Sequence, residues 1–263
     1  MEQIQNNRVI TDLYRENAQF PGIALDGSDV YLCWQRFVDR HDSLMASCRR
    51  GDEVVWEREI SDGGEVLHPV ILAHGGAIWY AWSEYARENW RILARCYRDG
   101  QWGEVLTVAS GEALFFPRLF TWQGRLHVIW TEQHKGSAAA VLCPLTEAGP
   151  GAAETVSAVG EAYRAGAAEG GDGNLYVAYD GFDGKQYKLF ARARTAAGWS
   201  KEIVVSQGED WASTPWIAAK PDGAVVGWYD YGYMAVYSVR SADLTVRDGA
   251  LAAVNPQCLK EGV

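Results

Sequence analysis

Two sets of side chains recur at fixed places along this chain and have the chemistry to act on a ligand. The first comprises Arg36, Glu84, Glu132, Asp180 and Asp230, each one or two residues after an aromatic that ends an apolar segment. The second flanks a series of short proline-containing segments: Phe20, His68, Phe116, Arg118, Tyr163, Arg164 and Trp216. A ring of carboxylates with a histidine and arginines suits general acid/base chemistry, or the holding of a hydroxyl-rich ligand through paired hydrogen bonds. The competing reading is a solvated rim whose acids offset nearby arginines, since charged loop ends occur on any soluble protein. A third group, Trp90, Tyr187, Trp211 and Tyr233, supplies flat faces able to cover the apolar side of a sugar ring. Its bland alternative is packing between neighbouring elements.

The elements that place these groups form a repeat. The segments VYLCW, IWYAW, LHVIW, LYVAY and VVGW end at Trp34, Trp82, Trp130, Tyr179 and Trp228, at intervals of 48, 48, 49 and 49 residues. A period of this length marks a stacked repeat architecture. Ahead of each lies a second segment (FPGIAL, HPVILA, FPRLFT, YRAGAA, TPWIAA), with Pro21, Pro69, Pro117 and Pro215 in matching places and Arg164 aligned with the prolines in the remaining copy. Glycine-containing turns separate successive segments, as tight antiparallel hairpins require. Each copy therefore reads as a four-stranded antiparallel meander. In the second strand both alternating sets are largely apolar, so both faces of the sheet must be covered, and a ring of stacked sheets provides that.

The expected fold class is all-β, a β-propeller of five blades with four antiparallel strands each and a repeat of about 48 residues. The chain reads as one domain, 1–263, with repeats near 20–67, 68–115, 116–162, 163–213 and 214–254. Residues 1–19 are expected to supply a closing outer strand at Val9–Asp12, with 255–263 as a displaced tail. In such a ring the loops after the second and fourth strands share one rim, which would bring both sets of polar residues to one mouth of an axial channel. Glu84 and Glu132 are expected there as exposed loop ends. The strand-end tryptophans are expected between blades, and His127, inside a strand, in the core.

Composition narrows the partners. The 263 residues carry 24 Lys plus Arg against 34 Asp plus Glu, a formal charge of −10, which disfavours a sequence-independent grip on nucleic acid or an anionic membrane. No apolar run reaches the ~18 residues of a membrane span. Five cysteines without CxxC spacing argue against a disulfide framework and a zinc site. Cys48, Cys96 and Cys143 fall at equivalent places in separate copies and are read as buried thiols. With an N-terminus lacking a basic stretch followed by an apolar one, the reading is a cytoplasmic protein. No metal site and no cofactor is expected, because HExxH, EF-hand, Walker and GxSxG patterns are missing.

Residues 91–132 and 188–206 resemble the repeats of sialidase-like propellers, whose hallmark is the Asp-box, Ser/Thr-x-Asp-x-Gly-x-x-Trp. The match is degenerate. Asp99-Gly100-Gln101-Trp102 has one residue between Gly and Trp, and Ala197-Gly198-Trp199 lacks the acid. The resemblance implies a propeller, though family rings usually hold six blades. Family sialidases hold a substrate carboxylate with three arginines and use a Tyr–Glu nucleophile, a set with no residue-by-residue match here. Five-bladed glycosidases place an Asp before the first-blade proline, where this chain has Phe20, and the motifs of five-bladed lectins of the tachylectin kind are not evident.

The functional expectation is a non-catalytic, lectin-like propeller that recognises a glycan or other polar ligand at the channel rim through Arg36, His68, Glu84, Arg118, Glu132, Tyr163, Arg164, Asp230, Trp90, Tyr187, Trp211 and Tyr233. One alternative is a glycoside hydrolase or lyase using Glu84, Glu132 or Asp230, with His68 or Arg118 assisting. The other is a scaffold for a protein partner. Fold alone does not choose among them.

Overall fold

The computed structural model describes residues 17–61, 63–232 and 237–260. They form five antiparallel sheets and, among the described residues, no helix. Sheet 1 comprises β1 (Asn17–Asp26), β2 (Asp29–Val38), β3 (His41–Arg50) and β4 (Glu53–Glu59) in that order. Sheet 2 comprises β5 (Glu65–His74), β6 (Ala77–Ala86), β7 (Asn89–Arg98) and an outer strand in two pieces, β8 (Gln101–Trp102) and β9 (Leu106–Gly111). Sheet 3 repeats this plan with β10 (Ala113–Trp122), β11 (Arg125–His134), β12 (Ser137–Thr146), β13 (Gly149–Pro150) and β14 (Glu154–Thr155). Sheet 4 follows with β15 (Ala162–Glu169), β16 (Leu175–Phe182), β17 (Tyr187–Thr195), β18 (Gly198–Trp199) and β19 (Ile203–Val204). Sheet 5 has β20 (Trp211–Lys220), β21 (Gly223–Tyr231), β22 (Tyr237–Arg247) and β23 (Ala250–Lys260). These are the blades of a propeller, five meanders as the repeat predicts.

The turns explain the regularity. Gly75-Gly76, Asp99-Gly100, Gln123-Gly124 and Asp248-Gly249 have positive φ at both residues, the conformation whose twist matches two antiparallel strands. Arg87-Glu88 and Asp39-Arg40 adopt it without glycine.

Stacking follows from the second strands. Tyr80 and Trp82 face sheet 1 while Trp79 and Ala81 face sheet 3, all at most 3% exposed. Four hydrophobic clusters result, one at each junction from sheets 1/2 to sheets 4/5. Among the described residues no such cluster joins sheet 5 to sheet 1. The outer faces of those sheets carry exposed apolar side chains, Ile23 and Leu25 on β1 and Trp216 and Tyr229 on sheet 5. The Trp216 indole lies against Gly227, where a Cβ would come within 2.5–2.8 Å of it.

The expected closure needs correction. The outer place in sheet 5 is taken by β23, which pairs with β22 from Arg247↔Ala250 to Val239↔Lys260, so residues 255–260 are strand and not tail. The segment Val9–Asp12 lies outside the described residues. Cys33, Cys48, Cys96 and Cys143 are buried free thiols, and Cys258 is exposed. His127 is buried as expected, its ring stacked 5.3 Å from Phe120 and its Nδ1 3.0 Å from the Arg125 carbonyl. Among the described residues no helix is long and apolar enough to cross a membrane.

Candidate functional site

Each blade's innermost strand breaks register at the same place. The shifts fall between Gln19 and Gly22, Leu67 and Val70, Phe115 and Arg118, Tyr163 and Gly166, and Ser213 and Trp216. Two residues leave the ladder at each shift. In four blades the second is proline, which has no N–H to give and belongs at bulges or edges. The first, Phe20, His68, Phe116, Arg164 or Thr214, takes a left-handed φ of 44° to 55°. Arg164 therefore matches the residue before the prolines, not the prolines themselves, and Ala165 stands in the proline's place. One backbone amide of this set is held by the preceding blade: Arg164 N–H donates to Thr131 Oγ1 (3.1 Å).

The five bulges surround an axial cavity of about 400 Å³ lined by Phe20, Pro21, His68, Pro69, Phe116, Arg118, Arg164, Thr214 and Pro215. The His68 ring sits between Phe20 (centroids 4.9 Å) and Phe116 (4.2 Å), and the Arg164 guanidinium lies 6.0 Å from the Phe116 centroid. His68 Nδ1 is buried with no hydrogen-bond partner among the described residues. Burial, helped by the Arg118 charge, lowers its pKa to about 4, so the imidazole is neutral at pH 7. Arg118 is reached by water from the cavity yet enclosed by protein, which pushes its pKa down, and no carboxylate among the described residues opposes that. Burial also works against the Arg164 charge, but Asp180 prevails and holds its pKa up; its Nε lies 2.9 and 3.0 Å from the two Asp180 oxygens.

The structure brings His68, Arg118 and Arg164 together, as the sequence predicts, but not the acids. Glu84 was expected at an exposed loop end. It is fully buried, pairs with Arg91 and accepts a bond from Trp82 Nε1 at 3.3 Å, while Gly64 closes over it where a Cβ would come within 2.4 Å of its side chain. Asp230, 2% exposed, is held by Trp228 Nε1 (2.6 Å) and paired with Arg240. Asp180 is fully buried against Arg164. Glu132 is half-buried and lines a separate hollow with His134, Ser137 and Thr155. Arg36 pairs with Glu59 at 2.9 Å. Glu84, Glu132 and Asp230 do not ring the cavity because the residue two places after the tryptophan of a second strand returns to the tryptophan's face; Asp180, one place after Tyr179, is taken up by Arg164.

The aromatic candidates divide. Trp90 packs on Phe115 (4.5 Å) and Tyr85 (5.3 Å), which is its bland role. Tyr163, Tyr187 and Trp211 instead form a chain beside Arg164, with centroids 6.2 and 5.6 Å apart and Phe182 5.5 Å from Tyr187. Tyr233 lies outside the described residues. Arg91, Arg240 and Phe182 escaped sequence reading. A signal existed for Arg91, which stands directly opposite Glu84 across the Arg87-Glu88 turn. A groove of about 670 Å³ on the other end of the stack, between the turns at Gly75 and Gly124, carries the Arg98–Glu147 ion pair at 2.8 Å.

This arrangement is that of a β-propeller, and the solved structures agree. A neuraminidase-like protein of subtype N10 from A/little yellow-shouldered bat/Guatemala/060/2010 superposes with a TM-score of 0.60 at 8% identity, over 93% of this chain and 82% of that one. An α-L-arabinanase variant from Cellvibrio cellulosa gives 0.50 at 11% identity, over 92% and 94%. A puromycin-hydrolysing peptidase from Mycobacterium tuberculosis gives 0.58 at 17% identity over 91% of this chain, which spans only 37% of the peptidase. No protein-family model matches, and no curated protein matches in sequence. At these identities the likeness reaches the fold alone.

Proposed function

We propose that this propeller recognises a polar ligand, a glycan bearing an anionic group, in the axial cavity, and does so without catalysis. The observation that carries the reading is Arg118, a guanidinium lining the cavity with no carboxylate partner among the described residues. Beside it the neutral His68 offers an unused Nδ1, and Phe20 and Phe116 present apolar surface. An arginine lining a cavity, exposed to its water, gains most from a planar anion that accepts two parallel bonds. The hydrolase alternative loses support because Glu84, Asp180 and Asp230 each hold an arginine in place, and no two of the sequence-selected acids line the cavity. The net charge of −10 keeps nucleic acids and anionic membranes outside the proposal.

Calorimetric titration with uronic acids and their neutral counterparts tests it, alongside a chromogenic-glycoside screen. The expected result is binding of acidic sugars only, lost in Arg118→Ala, with no turnover. Turnover of any glycoside, or undiminished binding by the variant, overturns the reading.

A further inference from the structure

The aromatic chain beside Arg164 has an exposure pattern that packing does not explain. Tyr163 adjoins the cavity-lining Arg164, and its ring is one step of 6.2 Å from Tyr187, which is a further 5.6 Å from Trp211. Phe182 supports Tyr187 from the neighbouring strand at 5.5 Å. Tyr187 and Tyr231 also lie near Arg164, which ties this shelf to the cavity. Trp211, at its outer end, is 53% exposed, although an indole in a protein with such apolar junctions has ample places to be buried. Trp90 is the counterpart of Tyr187 at the start of a third strand, half-buried against Phe115 and Tyr85, whereas the place that Trp211 holds in blade 5 is held in blade 3 by Ala113. Two half-buried rings and one exposed one in series, leading away from the cavity that Arg118 and Arg164 line, present two needs: a charge to pair in the cavity and flat apolar faces to cover along the rest.

We infer that the ligand is an anionic oligosaccharide, with its charged terminal residue in the cavity at Arg118 and the following pyranose rings stacked over Tyr163, Tyr187 and Trp211. This rests on the cavity reading above and adds chain length to it. The occupant follows from the chemistry of the site: the cation selects an anion, while the shelf selects a ligand that continues past it as faces one side of which is apolar, which an oligosaccharide supplies and a free carboxylic acid or inorganic phosphate does not. A shelf ending in one exposed tryptophan also sets polarity, because only the end distal to the charge reaches it.

The test is a calorimetric titration with a panel of monomeric and tetrameric uronides (galacturonate, glucuronate and mannuronate series), with neutral tetraoses and inorganic phosphate as comparators. At least one acidic tetramer is expected to bind about tenfold or more tightly than its monomer. Trp211→Ala should remove that gain while leaving monomer affinity unchanged, and Trp211→Phe, which keeps a flat ring, should restore part of it. Arg118→Ala should abolish both. If the monomer binds and responds to Arg118→Ala but the tetramer binds no better, or if Trp211→Ala leaves the gain intact, the oligosaccharide inference is overturned and the cavity reading stands. Phosphate binding equal to that of the tetramers, or tighter binding of a neutral tetraose, overturns the inference too. Failure of every acidic sugar to bind removes both.

Discussion

Replacing Glu84 with alanine separates a structural acid from a functional one, and its cost follows from three neighbours. The carboxylate is fully buried, pairs with Arg91 and accepts the Trp82 indole N–H. Removing it strands two donors. The indole N–H, in a side chain with no exposed surface, loses its acceptor at a cost of about 1–3 kcal/mol. The Arg91 side chain retains 34% exposure, so water recovers part of its loss and keeps the total near the lower end of the 3–5 kcal/mol seen for a broken buried pair, or about 3 kcal/mol. Urea unfolding followed by tryptophan fluorescence measures this, and thermal unfolding should show a fall in melting temperature of about 6–12 °C. Arg118→Ala is the counterpart. An arginine without a partner has little to lose, and stability should stay within ~0.5 kcal/mol. A loss below about 1 kcal/mol for Glu84→Ala, or above it for Arg118→Ala, refutes the division of the charged residues argued from the structure.

Two further outcomes are expected. The folded-state pKa of His68, about 4, lies below its ordinary value near 6.5, so the unfolded chain binds the extra proton first; its contribution is fully present above about pH 6.5 and is lost as pH falls towards 4, at no more than about 1.4 kcal/mol per pH unit. On going from pH 7.5 to pH 4.5 the urea midpoint of the wild type should therefore fall by more than that of His68→Phe, and equal falls exclude it. Alkylation of the native protein followed by mass spectrometry should label Cys258 first and leave Cys33, Cys48, Cys96 and Cys143 unmodified, since all four are buried and burial raises their thiol pKa values; early labelling of Cys48 or Cys96 contradicts the stacking of the sheets.

The blades were legible because their signals are periodic. Trp34, Trp82, Trp130, Tyr179 and Trp228 all end buried in second strands, where the repeat places them. The innermost strands were legible only where proline marked them. In the fourth blade the Gly170–Asn174 turn lengthens the spacing by one residue and alanine replaces proline, so Arg164 was aligned one position late. The acids were misplaced for a different reason. Residue type announces charge, whereas face is set by parity along the strand: Glu84 shares the face of Trp82, and Asp230 that of Trp228. Their arginine partners sit on the next strand, where one sequence shows an opposite charge but not which rotamer reaches it.

The left-handed bulge has a consequence for how such a chain can change. Phe, His, Phe, Arg and Thr occupy one backbone conformation in five blades, with φ varying by only 11°. The frame is thus indifferent to what it displays. Duplicated repeats begin with five identical occupants of this position, and each copy can then diverge alone, because the ladder resumes two residues later whichever side chain is shown. A symmetric scaffold becomes an asymmetric pocket by five independent single-residue edits. The same property makes these positions natural addresses for redesign, where the lining of the cavity can be rewritten one blade at a time without renegotiating how the sheets pair.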